Sequence, residues 1–382
     1  MGPEGVFVNK NEAYIFSIIT QFMSGSLKRK EASKLLQIEP RSVTRIARRV
    51  EARGILGVKH GNLRRRPKNR LNEGLRARVE LLMETEYFDF NLTHALERLE
   101  GVHQIKISHE TLRRICDKKG LIKRRKNRRS TPHRYRDRMP AEGLMLQLDG
   151  SPHRWNGKDE WCLISAIDDA TSKIPYAEFF LGEDTLNCMT VLQRIIERFG
   201  IPECIYTDRA GWSGGGKRQN FSQFARACED LGIRLLQAST PQAKGRIERS
   251  FQTIQDRLVP ELRQRSIRNI NYANHYLLNE FLPHYWNLKN TVAARDPETR
   301  YKPLPETMNL KEILCIKEFR AVAPDQTVSI QNKRMLIQEP LRFQIKGQKV
   351  ELRTYQDLTV KYFFAGKPIT LIPIEAPLKI AA

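Results

Sequence analysis

The sequence predicts a multidomain chain with helical units at the N-terminus, an α/β unit in the middle and a small β unit at the C-terminus. Three observations predict this order. A length of 382 residues exceeds what one hydrophobic core usually organises. Residues 1–140 hold 33 Lys and Arg against 15 Asp and Glu. At Leu144 the apolar pattern changes from helical spacing to strands separated by turn-forming residues.

The composition favours a globular protein that binds polyanions. Hydrophobic residues make up 40% of the chain and charged residues 29%, while the net charge is +23 and the pI is about 9.9. A ribosomal or membrane-surface protein would share this charge. No window approaches the ~18 apolar residues of a membrane span and no signal peptide is visible. We therefore expect a cytoplasmic protein with no membrane partner.

Residues 1–60 predict a helix-turn-helix DNA-binding domain. Helices are expected at residues 28–36 and 40–53, with Pro40 at the first helical position and Gly54 just past the end. Apolar residues at i, i+3, i+4 and i+7 of the second helix form its buried stripe, which turns an arginine-rich face outward. A solvated basic helix is the alternative. The candidate DNA contacts on this face are Arg41, Thr44, Arg45 and Arg48.

Residues 61–141 continue the basic region. A linker at 61–71 precedes a second predicted helix-turn-helix domain at 72–122, whose last helix begins at His109 with Ser108 as its N-cap. A second linker at 123–141 has too few apolar residues to pack, so it is expected to follow the DNA backbone. The candidate DNA contacts in this region are Arg64, Arg65, Arg66, Arg113, Arg114, Lys123, Arg124 and Arg125.

Residues 142–300 predict a ribonuclease H-like α/β catalytic domain. Strands are expected at residues 144–150, 161–168 and 173–181, and they could form a meander. A helix at 185–199, a strand at 204–208, a helix at 221–231, a strand at 233–237 and a helix starting near Gln242 follow. That order places one residue on the first strand, one at the end of the fourth and one on the last helix at a common site.

Three carboxylates occupy those places: Asp149, Asp208 and Glu248. Together they would repel one another, but two hard cations about 4 Å apart would neutralise them and serve in-line phosphoryl transfer. Oxygen ligands select Mg²⁺, with Mn²⁺ as a substitute. Lys244 and Arg246 flank the third carboxylate as candidate DNA contacts. Strand-end aspartates are also common turn formers, which is the competing interpretation.

Other features fit less well into this site. Asp168 and Asp169 are expected to turn the chain between the second and third strands, with Asp169 as a reserve metal ligand. The loop at 211–217 (GWSGGGK) lacks the ending of a nucleotide-binding P-loop. Six scattered cysteines suggest neither a zinc site nor a disulfide framework and are expected to be reduced and buried. Residues 317–376 predict a small β-barrel domain.

Four sequence blocks resemble the insertion-sequence transposases of the retroviral-integrase (DDE) superfamily, particularly the ISNCY group. They are LQLDGSPHRW, IDDATSKI, IYTDR and STPQAKGRIERSFQTIQDRL, and weaker similarity through NEFLPHYWN extends it over most of the chain. Position by position, the family's three acidic residues fall on Asp149, Asp208 and Glu248. Two departures are the 39-residue interval between Asp208 and Glu248 and the glycine-rich loop after Asp208.

The resemblance implies a metal-dependent polynucleotidyl transferase and endonuclease. It implies recognition of terminal inverted repeats in double-stranded DNA, cleavage to free 3′-hydroxyls and transfer of those ends into target DNA. Assembly as a homodimer or larger on DNA and a bacterial, nucleoid-associated location are expected with it. A nuclease without strand transfer and a DNA-binding regulator derived from an inactive copy are the alternatives.

Overall fold

The structure is a computed structural model that describes residues 9–60, 70–122, 136–207, 222–237, 245–338 and 347–374. The chain divides into two compact units, residues 1–76 and residues 77–382. Among the described residues, no helix is both long and apolar enough to cross a membrane. The six cysteines are buried, as expected, and none forms a disulfide.

The first unit is a three-helix bundle closed by a short 3-10 helix. Asn9 caps the first helix through a capping box, and Gln37 adopts a left-handed conformation between the second and third helices. Ile19, Ala32 and Val43 form the centre of its core, so the predicted helix pair and its buried stripe are confirmed. The elements are α1 (Lys10–Met23), α2 (Arg29–Leu36), α3 (Pro40–Arg53) and the 3-10 helix Gly54–Val58.

Three further helices follow, and the first of them spans the boundary between the two units. Ser108 accepts a hydrogen bond from the Thr111 amide, as its predicted N-cap role requires, and Gly120 ends the segment with a φ of +71°. Leu99, Leu112 and Ile115 pack inside. The helices are α4 (Glu73–Thr85), α5 (Leu92–Gly101) and α6 (His109–Lys118).

A five-stranded mixed sheet forms the centre of the second unit, with strand order β3-β2-β1-β4-β5. The first three strands pair antiparallel in sequence, which confirms the predicted meander, whereas β1, β4 and β5 pair in parallel. The strands and the helices between them are β1 (Leu146–His153), β2 (Trp161–Asp168), β3 (Tyr176–Phe180), α7 (Thr185–Phe199), β4 (Cys204–Thr207), α8 (Gln223–Asp230) and β5 (Arg234–Gln237).

Helices cover both faces of this sheet. Leu146 and Leu148 of β1 pack with α7 and α8 on one face. On the other face, Leu163 and Ile167 of β2 pack against the long helix that follows β5. Core residues continue to Leu314 on the first face. The covering elements after β5 are α9 (Gly245–Gln264), α10 (Ile270–Tyr276), the π-helical stretch Leu277–Trp286, α11 (Asn287–Lys289) and α12 (Leu310–Ile313).

The far end of α9 holds α5 through a buried carboxylate. Glu261 Oε1 lies 2.6 Å from His94 Nε2, and Arg98 donates to its other oxygen. Burial alone would raise the pKa of Glu261, but the hydrogen bond from His94 and the charge of Arg98 lower that pKa to about 2. Burial in turn lowers the pKa of His94. The pair is therefore a neutral imidazole that donates to an ionised carboxylate.

The C-terminal region consists of short strands in two small sheets around one apolar core that contains Val328, Val350 and Leu352. The short strands agree with the β character predicted for this region, and the chain turns at Gly366, whose φ is +76°. One sheet has the order β11-β10-β9-β6 and the other β12-β8-β7. The strands are β6 (Ile316–Ala321), β7 (Thr327–Ile330), β8 (Lys333–Ile337), β9 (Lys349–Thr354), β10 (Val360–Phe364), β11 (Lys367–Ile369) and β12 (Leu371–Pro373).

Candidate active site

Asp149 lies on the face of the sheet that α9 covers. Side chains alternate along a strand, so Gln147, Asp149 and Ser151 of β1 share one face. The residues opposite Gln147 and Ser151 on β2 are Ile167 and Leu163, and both belong to the core formed with α9. Asp149 itself is half-buried.

Two hydrogen bonds join β1 to α9 on either side of Asp149. The Ile247 amide donates to Gln147 Oε1 at 3.2 Å, and Gln255 Nε2 donates to Ser151 Oγ at 3.0 Å. The helix therefore runs along β1 past the position of Asp149, with its first turn at the Gln147 end.

Glu248 is exposed on that first turn. The preceding residue, Ile247, belongs to an apolar stripe of α9 that is buried against the sheet. Glu248 therefore lies at the edge of the covered face. The buried stripe consists of Ile247, Phe251, Ile254 and Leu258. The structure thus brings the elements that carry Asp149 and Glu248 into direct contact.

The predicted end of the first strand at residue 150 is wrong. β1 continues through Gly150 to His153, and Asp149 pairs with Ser165 in the interior of the sheet. β2 pairs with β1 as far as Trp161, so β1 continues through Gly150, the residue at which its end was expected. A Cβ at Gly150 would lie 2.5 Å from the carboxyl group of Glu183, the mobile end of an exposed side chain, so the glycine neither ends the strand nor is required by this contact.

Asp208 lies outside the described residues. β4, the parallel neighbour of β1, ends at Thr207, the residue directly before it. Within the described part of the chain, no group of three or more His, Cys, Asp or Glu is placed to hold a metal ion. The described carboxylates Asp149 and Glu248 supply the oxygen ligands that Mg²⁺ prefers.

The buried oxygen of Ser165 adds one more polar atom to the Asp149 side of the sheet. Ser165 is fully buried opposite Asp149, and its Oγ has no hydrogen-bond partner. Buried hydroxyls are normally satisfied, so an unpartnered one marks a place where a polar ligand or water fits. The donor set around Asp149 is therefore compatible with a hard cation.

Asp168 and Asp169 have different roles. Asp168 accepts hydrogen bonds from the amide and the hydroxyl of Thr171, each at 2.8 Å, so it stabilises the turn as predicted. Burial raises the pKa of Asp168. Asp169 points away from that turn. It is fully buried and accepts from the Met139 amide, Gln147 and Arg246 at 2.9, 2.8 and 2.7 Å, and also from Arg136. We assign it no metal ion, because its oxygens are already engaged.

The predicted DNA contacts differ in their surroundings. On α3, Arg41, Arg45 and Arg48 are exposed and Thr44 is half-buried. Arg49, which the periodicity also turned outward, has a buried Nε with no partner.

Other candidates are engaged within the chain. Arg113 and Arg114 of α6 are exposed but both bond Glu110. Arg246 bonds Asp169 and the Arg136 carbonyl. The candidates Arg64, Arg65, Arg66, Lys123, Arg124, Arg125 and Lys244 and the loop at 211–217 lie outside the described residues.

Sequence reasoning missed Gln147. It is the single polar residue among the leucines and methionine of LMLQL, and a polar residue on an otherwise buried strand was the available signal. Its two contacts come from residues 22 and 100 positions away, so neither partner was visible from local pattern.

Comparison with known proteins places the chain among transposases. It is 30% identical over 365 residues to a protein of Sinorhizobium fredii (strain NBRC 101917 / NGR234) named "Putative transposase y4bF", covering 92% of this chain and 78% of that protein. It is also 30% identical over 310 residues to the "Transposase for insertion sequence IS1202" of Streptococcus pneumoniae, covering 70% of this chain and 66% of that one. No family model matches.

Similar solved structures include a simian T-cell lymphotropic virus intasome in complex with PP2A regulatory subunit B56 gamma. It is 15% identical with a TM-score of 0.35, covering 78% of this chain and 99% of that one. The HTLV-2 integrase catalytic core with magnesium, in its trimeric form, is 17% identical with a TM-score of 0.30, covering 37% and 88%.

The sequence relatives are sufficient to assign the family. This chain belongs to the transposase family of these relatives. The resemblance of the four sequence blocks to transposases is thereby confirmed.

Proposed function

We propose that the chain is a DNA transposase that binds terminal inverted repeats, cleaves the element's ends to 3′-hydroxyls and joins them to target DNA. The observation that carries the proposal is the contact between β1 and α9. That contact brings the Asp149 face of the sheet under the turn that holds Glu248. The family membership supports the same reaction class.

In this proposal the catalytic residues are Asp149, Asp208 and Glu248 of a ribonuclease H-like domain. They hold two Mg²⁺ ions, for which Mn²⁺ can substitute, through carboxylate oxygens. When bound, such ions activate the attacking oxygen and stabilise the leaving oxygen. The chain's own contribution is to hold the three carboxylates together on one face of the sheet, so that the scissile phosphate meets them in one geometry.

The remaining groups bind DNA. The exposed arginines of α3 are proposed to read bases in a helix-turn-helix domain, and the second helical segment with the two basic linkers is proposed to hold the backbone. Joining two ends to one target requires two catalytic sites, so we propose a homodimer or larger assembly on DNA. The C-terminal β region, proposed to form a barrel, would add backbone or subunit contacts.

The test is cleavage and joining of DNA that carries the terminal repeats of the chain's own element, with Mg²⁺ present. Asp149→Asn, Asp208→Asn and Glu248→Gln are each expected to reduce both steps by roughly a thousandfold or more, and double changes to be no worse than single ones. DNA affinity should persist, because removing a negative charge does not weaken attraction to phosphate. Glu229→Gln, an exposed acid on α8, is the matched control and should retain activity.

Each alternative has its own outcome. Full activity in any of the three variants would contradict the assigned residues. Cleavage without joining would indicate a nuclease. Specific DNA binding with no metal-dependent cleavage by the unaltered chain would indicate a DNA-binding regulator.

A further inference from the structure

Gln147 is a buried polar side chain that connects three segments. It lies between Leu146 and Leu148 on β1 and is only 1% exposed. Its Nε2 donates to Asp169 Oδ1 at 2.8 Å, and its Oε1 accepts the Ile247 amide at 3.2 Å. Both ends of the amide are therefore used, as a buried polar group requires.

The second of these bonds satisfies a helix end. The first amides of an α-helix have no partner within the helix. Ile247 is the third residue of α9, so its amide is one of these, and Gln147 supplies the acceptor from a neighbouring strand. Arg246, one residue earlier, bonds Asp169 at 2.7 Å. Two consecutive residues of the first turn are thus fixed by Gln147 and Asp169.

Asp169 anchors this connection. Its side chain is fully buried, and one oxygen, Oδ1, accepts from Gln147, Arg246 and Arg136. The other, Oδ2, accepts the Met139 amide at 2.9 Å. A carboxylate held by four donors, two of which are cations, has little freedom to move. Its negative charge near the first turn of α9 also matches the positive end of the helix dipole.

We propose that Gln147 and Asp169 form a brace that positions the first turn of α9, and with it Glu248, against the Asp149 face of β1. The proposal rests on the proposed function, because the brace matters for the reaction only if Glu248 is a catalytic residue. Both are positioning residues and neither touches the substrate. A displacement of about 1 Å at a catalytic group can cost about a hundredfold in rate, so a brace one residue from Glu248 bears on the reaction.

The direct test measures the first turn in the free protein. Gln147→Met keeps an unbranched side chain of similar length and removes both hydrogen bonds. Amide exchange at Ile247, followed by NMR in isoleucine-labelled full-length chain without DNA or metal, should accelerate roughly tenfold or more. Gln255→Met is the matched control, because it removes the other β1–α9 side-chain bond, about two turns further along the helix. It should leave the exchange at Ile247 unchanged.

Kinetics separate positioning from simple stabilisation. Gln147→Met should lower the cleavage rate by about ten- to a hundredfold, with DNA affinity unchanged, and should raise the Mg²⁺ concentration needed for half-maximal cleavage. Gln255→Met should not shift the metal requirement, even if it lowers the melting temperature equally.

Two results would overturn the brace. One is unchanged exchange at Ile247 in Gln147→Met, and the other is an equal metal shift in Gln255→Met. Failure of the proposed function looks different, because Glu248→Gln would then stay active while the exchange effect at Ile247 persisted.

Discussion

The two candidate recognition helices, α3 and α6, share one pattern but differ in what their arginines touch. Both have an apolar back and an arginine-rich front. In α6, Arg113 and Arg114 lie 2.7 and 2.9 Å from Glu110, whose pKa these hydrogen bonds lower to about 2. In α3 no acidic residue precedes Glu51, and Arg41 and Arg45 are exposed. The same amphipathic spacing therefore produces one helix whose cations face solvent and one whose cations are already paired.

The two helices also differ in attachment. α6 belongs to the compact unit that contains the sheet, and α5 beside it is held to α9 by Glu261. α3 belongs to the other compact unit. A change at Glu261 should therefore destabilise the unit that contains α6 and leave the unit that contains α3 unaffected.

The largest expected effect is on stability. Glu261→Gln leaves Arg98 and Arg265 without their shared carboxylate, and breaking a buried pair in this way costs about 3 kcal/mol. Denaturant unfolding should show the loss in the unit at residues 77–382, with the transition of residues 1–76 unchanged. Glu100→Gln, which removes an exposed pair on α5, is the control and should change stability by less than about 1 kcal/mol.

The pH dependence of unfolding checks the same carboxylate. The pKa of Glu261 falls from 4.5 to about 2 on folding, so its ionised form contributes stability above about pH 4.5 that is lost as the pH falls towards 2. The difference in unfolding free energy between the unaltered chain and Glu261→Gln should shrink over that window. A constant difference would mean that the cluster does not act through the charge of Glu261.

The second effect concerns sequence discrimination. Arg41→Ala and Arg45→Ala should each lower the preference for terminal-repeat DNA over random DNA by about 1 to 3 kcal/mol per base contact. Arg113→Ala and Arg114→Ala should lower this preference less, because these arginines must first break their ion pairs with Glu110 before they can contact DNA. Binding to terminal-repeat and random DNA, measured over a range of salt concentrations, tests the expectations for both pairs of variants.

Backbone contacts provide the control for that comparison. Arg124→Ala and Arg125→Ala should weaken binding to all DNA alike and flatten the salt slope by about one unit per contact. If they reduced discrimination as much as the α3 variants do, the division into base readers and backbone contacts would be wrong.

The smallest effect is expected at Glu110. Glu110→Gln releases two arginines of α6, so affinity for random DNA should rise and the salt slope should steepen by about one unit for each released arginine that reaches a phosphate. An unchanged slope would show that α6 does not face DNA. The matched change Glu12→Gln, in the first turn of α1, should leave the slope unaltered.

Elements with strong local signals were predictable. α3 and α7 have the predicted bounds, because a proline at the first helical position and glycines at the ends mark them in the sequence. The pairing of Glu110 with Arg113 and Arg114 was also readable, since helical residues three and four apart are neighbours.

Features set by distant partners were not predictable. The extent of β1 beyond Asp149 depends on pairing with β2, which continues through the glycine that suggested the end of the strand. The link from Gln147 to Ile247 spans 100 residues. For the candidate site, the sequence supplied the carboxylates of β1 and α9, while the means of holding them together came only from the folded arrangement.

The buried carboxylate of Asp169 also limits where the polypeptide can be cut. The apolar pattern put the start of the catalytic region at residue 142, yet the Met139 amide and the Arg136 guanidinium both bond Asp169. A fragment that begins at residue 142 would keep every strand of the sheet but would lack Arg136 and Met139, which both donate to Asp169. Proteolysis between residues 139 and 142 would therefore loosen a helix more than a hundred residues further along the chain, without breaking that helix or the sheet.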